Sequence, residues 1–154
     1  MLKNIPKILS PELLKIMMEM GHNDDLVIAD GNFPGASTAK RLIRLDGHNV
    51  PEVLDAVLRF FPLDYFVEKS VTLMNVNPGD NYTPTVRDSF KDIILKWEAE
   101  SVGNKENAGI EYVDRFAFYE KAKNAYAVIT TGERAKYANL VLKKGIVTDA
   151  NRGY

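Results

Sequence analysis

A chain of 154 residues, 45% of them hydrophobic, can bury one sizeable core and has no room for a second catalytic domain. Its 20 basic and 21 acidic side chains leave a formal net charge of -1, which excludes a strong field for steering nucleic acid or an anionic membrane and favours a neutral partner. With no cysteine, disulfides, thiolate nucleophiles and cysteine-ligated metals are excluded. His22 and His48, the two histidines, are too few for a histidine-rich metal site, so we assign no metal.

Met1 to Lys7 lacks a long apolar region, and no stretch approaches the ~20 apolar residues of a bilayer span, so a cytoplasmic protein is expected. Ser10-Pro11-Glu12 then opens a helix, with a serine N-cap, proline at the first helical position and an acid near the positive end of the dipole. This helix is expected over Pro11 to Met20. It is apolar around most of its circumference, with Lys15 and Glu19 as a narrow polar strip, and Gly21 closes it.

The stretch from Gly21 to Pro34 concentrates the chemistry. Leu26-Val27-Ile28-Ala29 is a continuous apolar run, preceded by His22 and followed by Asp30, which is the pattern of a strand buried on both faces. Asp30 thereby falls at the strand's carboxyl end, where open α/β sheets bind their ligands. The plainer reading has Asp30 capping a turn with Gly31-Asn32 and His22 merely ending a helix.

Arg41 to Leu45 reads as a short strand ending at Asp46-Gly47. Asn49-Val50-Pro51-Glu52 opens a second helix whose Val53, Leu54, Val57, Leu58 and Phe61 form one apolar face, terminated by Pro62. His48 is assigned to a turn or cap before it. Val71 to Val76 is a strand closed by the turn Asn77-Pro78-Gly79-Asp80. A third amphipathic helix follows from Thr85 to about Glu100, and Ser101 to Gly109, polar with two glycines, reads as a flexible surface excursion.

After a brief strand at Ile110 to Val113, Asp114 caps a helix from Arg115 to Ala125. Arg115 in its first turn opposes the dipole, and binding a hydroxyl or an acid is one role that would keep it there. Tyr126 to Thr131 and Leu140 to Leu142 are the last strands, the latter ending at Lys143-Lys144-Gly145. The polar tail from Ile146 to Tyr154 is expected to be loosely held, leaving a domain over residues 1–146. Alternating helices and strands favour a single layered α/β domain with a mainly parallel central sheet flanked by helices.

Four segments together resemble the family of bacterial and animal L-fucose mutarotases, which is related to D-ribose pyranase. They are Ser10-Pro11-Glu12-Leu13-Leu14 with Met20-Gly21-His22, the pattern from Asp25 through Asp30 to Phe33-Pro34, Arg115-Phe116-Ala117-Phe118-Tyr119-Glu120, and Thr131 to Asn139 with Lys143-Lys144-Gly145. They span nearly the whole chain. The resemblance implies His22 as proton donor and Asp30, Arg115, Tyr137, Ala138 and Asn139 as sugar-binding residues, with Tyr119 a possible further one. Ala138 stands where relatives usually carry glycine. The Arg-Phe-Ala-Phe-Tyr-Glu segment is the fucose-type form and favours L-fucose over D-ribose.

Mutarotation opens a hemiacetal and recloses it on the other carbonyl face, so it needs a proton delivered to the ring oxygen and one removed from the anomeric hydroxyl. No cofactor is required, and a histidine suits both transfers near neutrality. Phe33, Phe118 and Tyr119 are candidate walls for the 6-methyl group of fucose. One constraint stands against a simple pocket: at ~3.3 Å per extended residue, the His22 and Asp30 ends of the strand lie roughly 20 Å apart. Either the chain bends back after His22, or the site is shared between neighbours in a ring-shaped homo-oligomer, as the family's decamers imply. Alternatives are a D-ribose pyranase or broader aldose mutarotase with the same site, and a non-catalytic monosaccharide-binding or transport-accessory protein.

Overall fold

In a computed structural model, residues 2–149 are described; the end of the expected tail, 150–154, lies outside them. Six strands form one sheet in the order β2-β5-β1-β6-β3-β4: β1 (Asp25–Ala29), β2 (Leu42–Leu45), β3 (Val71–Met74), β4 (Ile110–Val113), β5 (Ala127–Thr131) and β6 (Leu140–Lys143). The β1/β5, β2/β5 and β3/β4 pairs are parallel. The sixth strand is the exception, running antiparallel between β1 and β3, with Asp25 opposite Lys143 and Ile28 opposite Leu140.

Strand β1 alternates its apolar side chains between two cores. Leu26 and Ile28 face the larger one, with Leu13, Ile16 and Met17 of α1 (Pro11–Glu19), Val53, Leu54 and Val57 of α3 (Val50–Leu58) and Phe90 and Ile94 of α4 (Asp88–Val102). Val27 and Ala29 face the smaller, with Phe118 and Ala122 of α5 (Arg115–Asn124). Helices thus cover both faces, as an apolar run such as Leu26–Ala29 requires. The caps follow the sequence: the Ser10 hydroxyl accepts the Leu13 N–H, Asn49 and Glu52 make a reciprocal capping box, and Asp114 accepts the Phe116 and Ala117 N–H groups.

Three expectations need correction. Helix α1 buries one face only, since Met18 is 84% exposed, and Met20 ends it in extended backbone while the Gly21 N–H turns to the Asp24 carboxylate. The turn after Phe33-Pro34 contains a four-residue helix, α2 (Gly35–Thr38). The segment after α4 is no loose excursion: α4 runs on to Val102, Glu106–Gly109 closes a tight turn, and Ala108 and Gly109 are buried.

Two glycines let distant segments touch. A Cβ on Gly132 would lie 2.0 Å from the Asp46 carbonyl oxygen, and one on Gly145 would lie 2.5 Å from that of Leu63. Neither backbone can retreat, because Gly132 donates to His48 and Gly145 to Pro62. Gly132→Ala is therefore expected to cost about 1–3 kcal/mol, the usual range for overpacking, read as a lower urea midpoint at unchanged slope.

Candidate active site

The candidate residues collect at the two ends of the sheet. At the amino end of β1, the loop Gly21–Asp24 leaves α1 and presents His22, its side chain 44% exposed. His22 Nε2 lies 3.2 Å from Asp64 Oδ2, and the Phe66 ring packs 5.6 Å from the imidazole at a tilt of 52°. Asp64 is almost wholly buried, and its other oxygen accepts the Phe66 N–H at 2.9 Å. A buried carboxylate tied in this way fixes the ring that it faces. With Nε2 donating to Asp64, Nδ1 is the nitrogen left to exchange protons.

The His22 loop is braced by β6. Lys143 Nζ reaches the Asn23 carbonyl at 3.4 Å and the Asp25 carboxylate at 2.9 Å, and Lys144 Nζ donates to the Met20 carbonyl at 2.5 Å. The backbones of Asn23 and Lys144 are also bonded, which holds Asn23 at a left-handed φ of 72°. Lys143-Lys144-Gly145 thus has a physical reading. The lysines secure the His22 loop, and the glycine admits Leu63, the neighbour of Asp64.

At the carboxyl end of β1 stands Asp30, 3% exposed. Its Oδ1 accepts the Asn32 N–H at 2.9 Å, and its own N–H donates to Asn139 Oδ1 at 2.8 Å. Burial pushes the Asp30 carboxyl up, while the Asn32 N–H, the Asn139 side chain and the Ala138 N–H draw it back down. Because Asn139 spends its oxygen on the Asp30 N–H, its amide NH₂ is the group that draws the Asp30 carboxyl down, and the second of its two N–H groups remains to donate elsewhere.

Tyr137 stands beside this pair at a left-handed φ of 60°. Its carbonyl accepts from Arg87 Nε at 2.7 Å, and Arg87 also donates to the Met74 carbonyl at the end of β3. The Tyr137 hydroxyl donates to Asp80 Oδ2 at 2.8 Å, which leaves its lone pairs free to accept. Lys136 and that hydroxyl hold the Asp80 carboxyl below the usual carboxylate range. The Ala138 methyl is fully buried in the larger core, and the left-handed backbone falls on its neighbour Tyr137.

The structure therefore brings together Asp30, Tyr137, Ala138 and Asn139. Tyr119 joins them through Phe33, whose ring stacks on it at 5.3 Å. Arg115 opens α5 at the same end of the sheet, but beyond β4 at the edge, with its guanidinium over the Phe116 ring. His22 stays at the opposite end, so the chain does not bend back. Of the three candidate walls, Phe118 is fully buried and Phe33 is 8% exposed. Two exposed aromatic side chains lie against candidates, Phe66 (64%) beside His22 and Phe116 (72%) under the Arg115 guanidinium.

Asp64, Phe66, Asp80 and Arg87 were not among the sequence candidates. Asp64 had a legible signal, a lone acid within Phe60-Phe61-Pro62-Leu63-Asp64-Tyr65-Phe66-Val67, where a charge is retained at a cost unless partnered. Arg87 had none, since an arginine in the first turns of an amphipathic helix is ordinary.

The model of the RbsD / FucU transport protein family matches residues 3–147. Among curated proteins, the L-fucose mutarotase of Actinobacillus pleuropneumoniae is 43% identical over 146 residues, 95% of this chain and 97% of that protein. The fucose mutarotase of Danio rerio is 43% identical over 152 residues, 95% of this chain and 94% of that protein. Among solved structures, the fucose mutarotase of Streptococcus pneumoniae in complex with L-fucose superposes with a TM-score of 0.87 at 46% identity, over 96% of this chain and all of that one.

The burial of Asp30 gives its removal a sign. Its folded-state pKa is raised, so its contribution to stability is full below the ordinary value of 3.8 and is lost as pH rises through the folded value. Asp30→Asn keeps an acceptor for the Asn32 N–H and removes the charge. The melting temperature of the variant, relative to wild type, should therefore climb between pH 3.5 and pH 7; a flat or falling difference would refute the assignment.

Proposed function

We infer from this arrangement that the chain, which belongs to the RbsD / FucU family, is an L-fucose mutarotase, an isomerase that interconverts the α and β anomers. The observation that carries the mechanism is the His22–Asp64 pair: an exposed imidazole whose Nε2 is held by a buried carboxylate, leaving Nδ1 to face a substrate. His22 delivers a proton from Nδ1 to the ring oxygen as the bond from that oxygen to the anomeric carbon breaks. The anomeric hydroxyl passes its proton to a solvent water, and the open aldehyde forms. Rotation about the bond between the first two carbons presents the other carbonyl face, and the same transfers run in reverse.

Around the sugar, the groups have complementary hydrogen-bonding senses. Asp30 and the Tyr137 oxygen accept from hydroxyls, the Asn139 amide donates, and Arg115 supplies a fork of fixed donors. Tyr119 adds a ring and a hydroxyl on the same side as Phe33. Phe66 offers the apolar surface that a 6-methyl group favours, next to the proton donor.

These groups belong to one site only if two copies of the chain supply it. His22 and Asp30 occupy opposite ends of β1, so we place the His22 end of one copy against the Asp30 end of the next. Such a head-to-tail contact closes into a ring, and ring-shaped pentamers paired into a decamer are the assembly we propose.

Anomeric-proton exchange of L-fucose, followed by saturation-transfer NMR with D-ribose in parallel, tests the reaction. Wild-type protein should accelerate fucose exchange more than ribose exchange, and His22→Ala should lower the fucose rate by about 10²-fold or more, the contribution expected of general acid catalysis, while binding persists. Unchanged exchange in His22→Ala would leave a binding protein.

Subunit mixing tests the shared site. His22→Ala and Asp30→Asn proteins, each impaired alone, should regain activity when unfolded together and refolded, because about a quarter of the contacts in a random ring pair an intact His22 with an intact Asp30. No recovery, with mixed assemblies formed, would place both residues of each site in one copy.

A further inference from the structure

The turn that follows α4 presses against the segment that carries Asp64 and Phe66. Lys105 Nζ donates to three carbonyls of one loop, those of Asp64 at 3.4 Å, Tyr65 at 3.0 Å and Val67. An ammonium has three N–H donors and no acceptor, so this set uses it fully. From the last turns of α4, Glu98 Oε2 accepts the Leu63 N–H at 2.9 Å and the Ser101 hydroxyl at 2.9 Å, with the helix backbone broken at Glu98 (φ -123°, ψ 23°). The segment from Leu63 to Val67 is thus held at both ends by one neighbouring element.

That element is itself strained. Asn107, Ala108 and Gly109 take left-handed φ values of 50°, 52° and 69° in succession, and Ala108 does so while buried. An alanine in this region costs of order 1 kcal/mol and persists only where its surroundings over-determine it. Here the surroundings include the chain immediately after that segment, since the space beside Gly109 is bounded by Ser70 Oγ and the Glu68 carbonyl. A turn that served only to connect α4 to β4 would have no need of this conformation, nor of a lysine turned inward from a surface position.

We propose that Lys105, with the left-handed turn behind it, is a positioning clamp that sets the Asp64–Phe66 segment against His22. The proposal deepens the mutarotase reading and rests on it. Lys105 touches no sugar in this account; it acts through Asp64 and Phe66, which define the orientation and the apolar wall of the proton donor. Releasing the clamp therefore misaligns proton transfer without removing any group that recognises the sugar hydroxyls.

The two histidines make the test self-referenced, because His48 lies in the loop before α3 and touches none of these groups. In Lys105→Met, the rate of L-fucose exchange at saturation should fall about tenfold while the half-saturating concentration stays within about twofold of wild type. The imidazole proton signal of His22 should move and that of His48 should stay. Lys105→Arg, which keeps a cation with several donors, should restore both rate and signal. A structural role alone would lower the melting temperature without singling out His22.

Wild-type exchange with an unmoved His22 signal in Lys105→Met would overturn the clamp. Should that variant fail to fold, Lys105→Gln, which keeps one side-chain donor group, is judged by the same two readouts. A wild-type chain that leaves fucose exchange unaccelerated would overturn the mutarotase reading instead, and the His22 signal alone would then decide for or against the clamp.

Discussion

One strand running against its neighbours organises both ends of this protein. Strand β6 lies antiparallel between β1 and β3, so its first residues stand at the carboxyl end of β1 and its last at the amino end. A strand joined in parallel would place Tyr137 to Asn139 beside His22 and the Lys143-Lys144-Gly145 segment beside Asp30. The observed sense does the reverse: Asn139 receives the Asp30 N–H, and Lys143 and Lys144 tie down the loop of His22. The nine residues from Tyr137 to Gly145 thereby serve two separate groups of chemistry. The ladder of hydrogen bonds along β1, with both faces buried, keeps those groups apart at a fixed distance.

At each end, the sheet supplies rigidity and the loops supply function. The Asp30 end uses backbone bonds to determine what each side chain can still do: Asn139 is left as a donor, and Tyr137 as an acceptor because its proton goes to Asp80. Arg87 is a stabilising companion here. It is half-buried, which pulls its guanidinium down from the ordinary value, and it satisfies the carbonyls of Met74 and Tyr137 where parallel and antiparallel strands part. A cation on two carbonyls needs no counter-charge to be tolerated, since its donors are met by dipoles.

Much of this was legible in the chain, and what was not has physical reasons. Strand β1 could be read from four apolar residues, α3 from its apolar spacing and its asparagine and glutamate cap, and α5 from Asp114, because these are local signals. Asp30 at a strand end followed from the general rule for α/β sheets. The pairing of His22 with Asp64 did not, as 42 residues separate them and only β6 brings Leu63 beside Lys144. The turn over residues 103–109 misled for a different reason. Two glycines and several polar side chains describe a mobile loop equally well as a tight left-handed turn, and what decides between them is an inward lysine whose carbonyl partners lie about 40 residues away.

Sharing a site between copies changes what must be accurate. If His22 and Asp30 of one chain acted on the same sugar, the length and twist of β1 would enter the distance between proton donor and carboxylate, and any change in the strand would displace one from the other. When the two come from neighbouring copies, β1 drops out of that distance. What remains is how firmly each group is fixed to its own end of the sheet, and how the ends meet. The proposed sharing fits bracing that is local at both ends: Lys143 and Lys144 on the loop of His22, Lys105 and Glu98 on the segment of Asp64, Arg87 and Asn139 beside Tyr137 and Asp30. The proposal fits Phe66 and Tyr65 as well, packed ring on ring at 4.2 Å yet left open to solvent beside His22. Apolar surface of that kind is costly on a chain alone and useful where another surface closes over it.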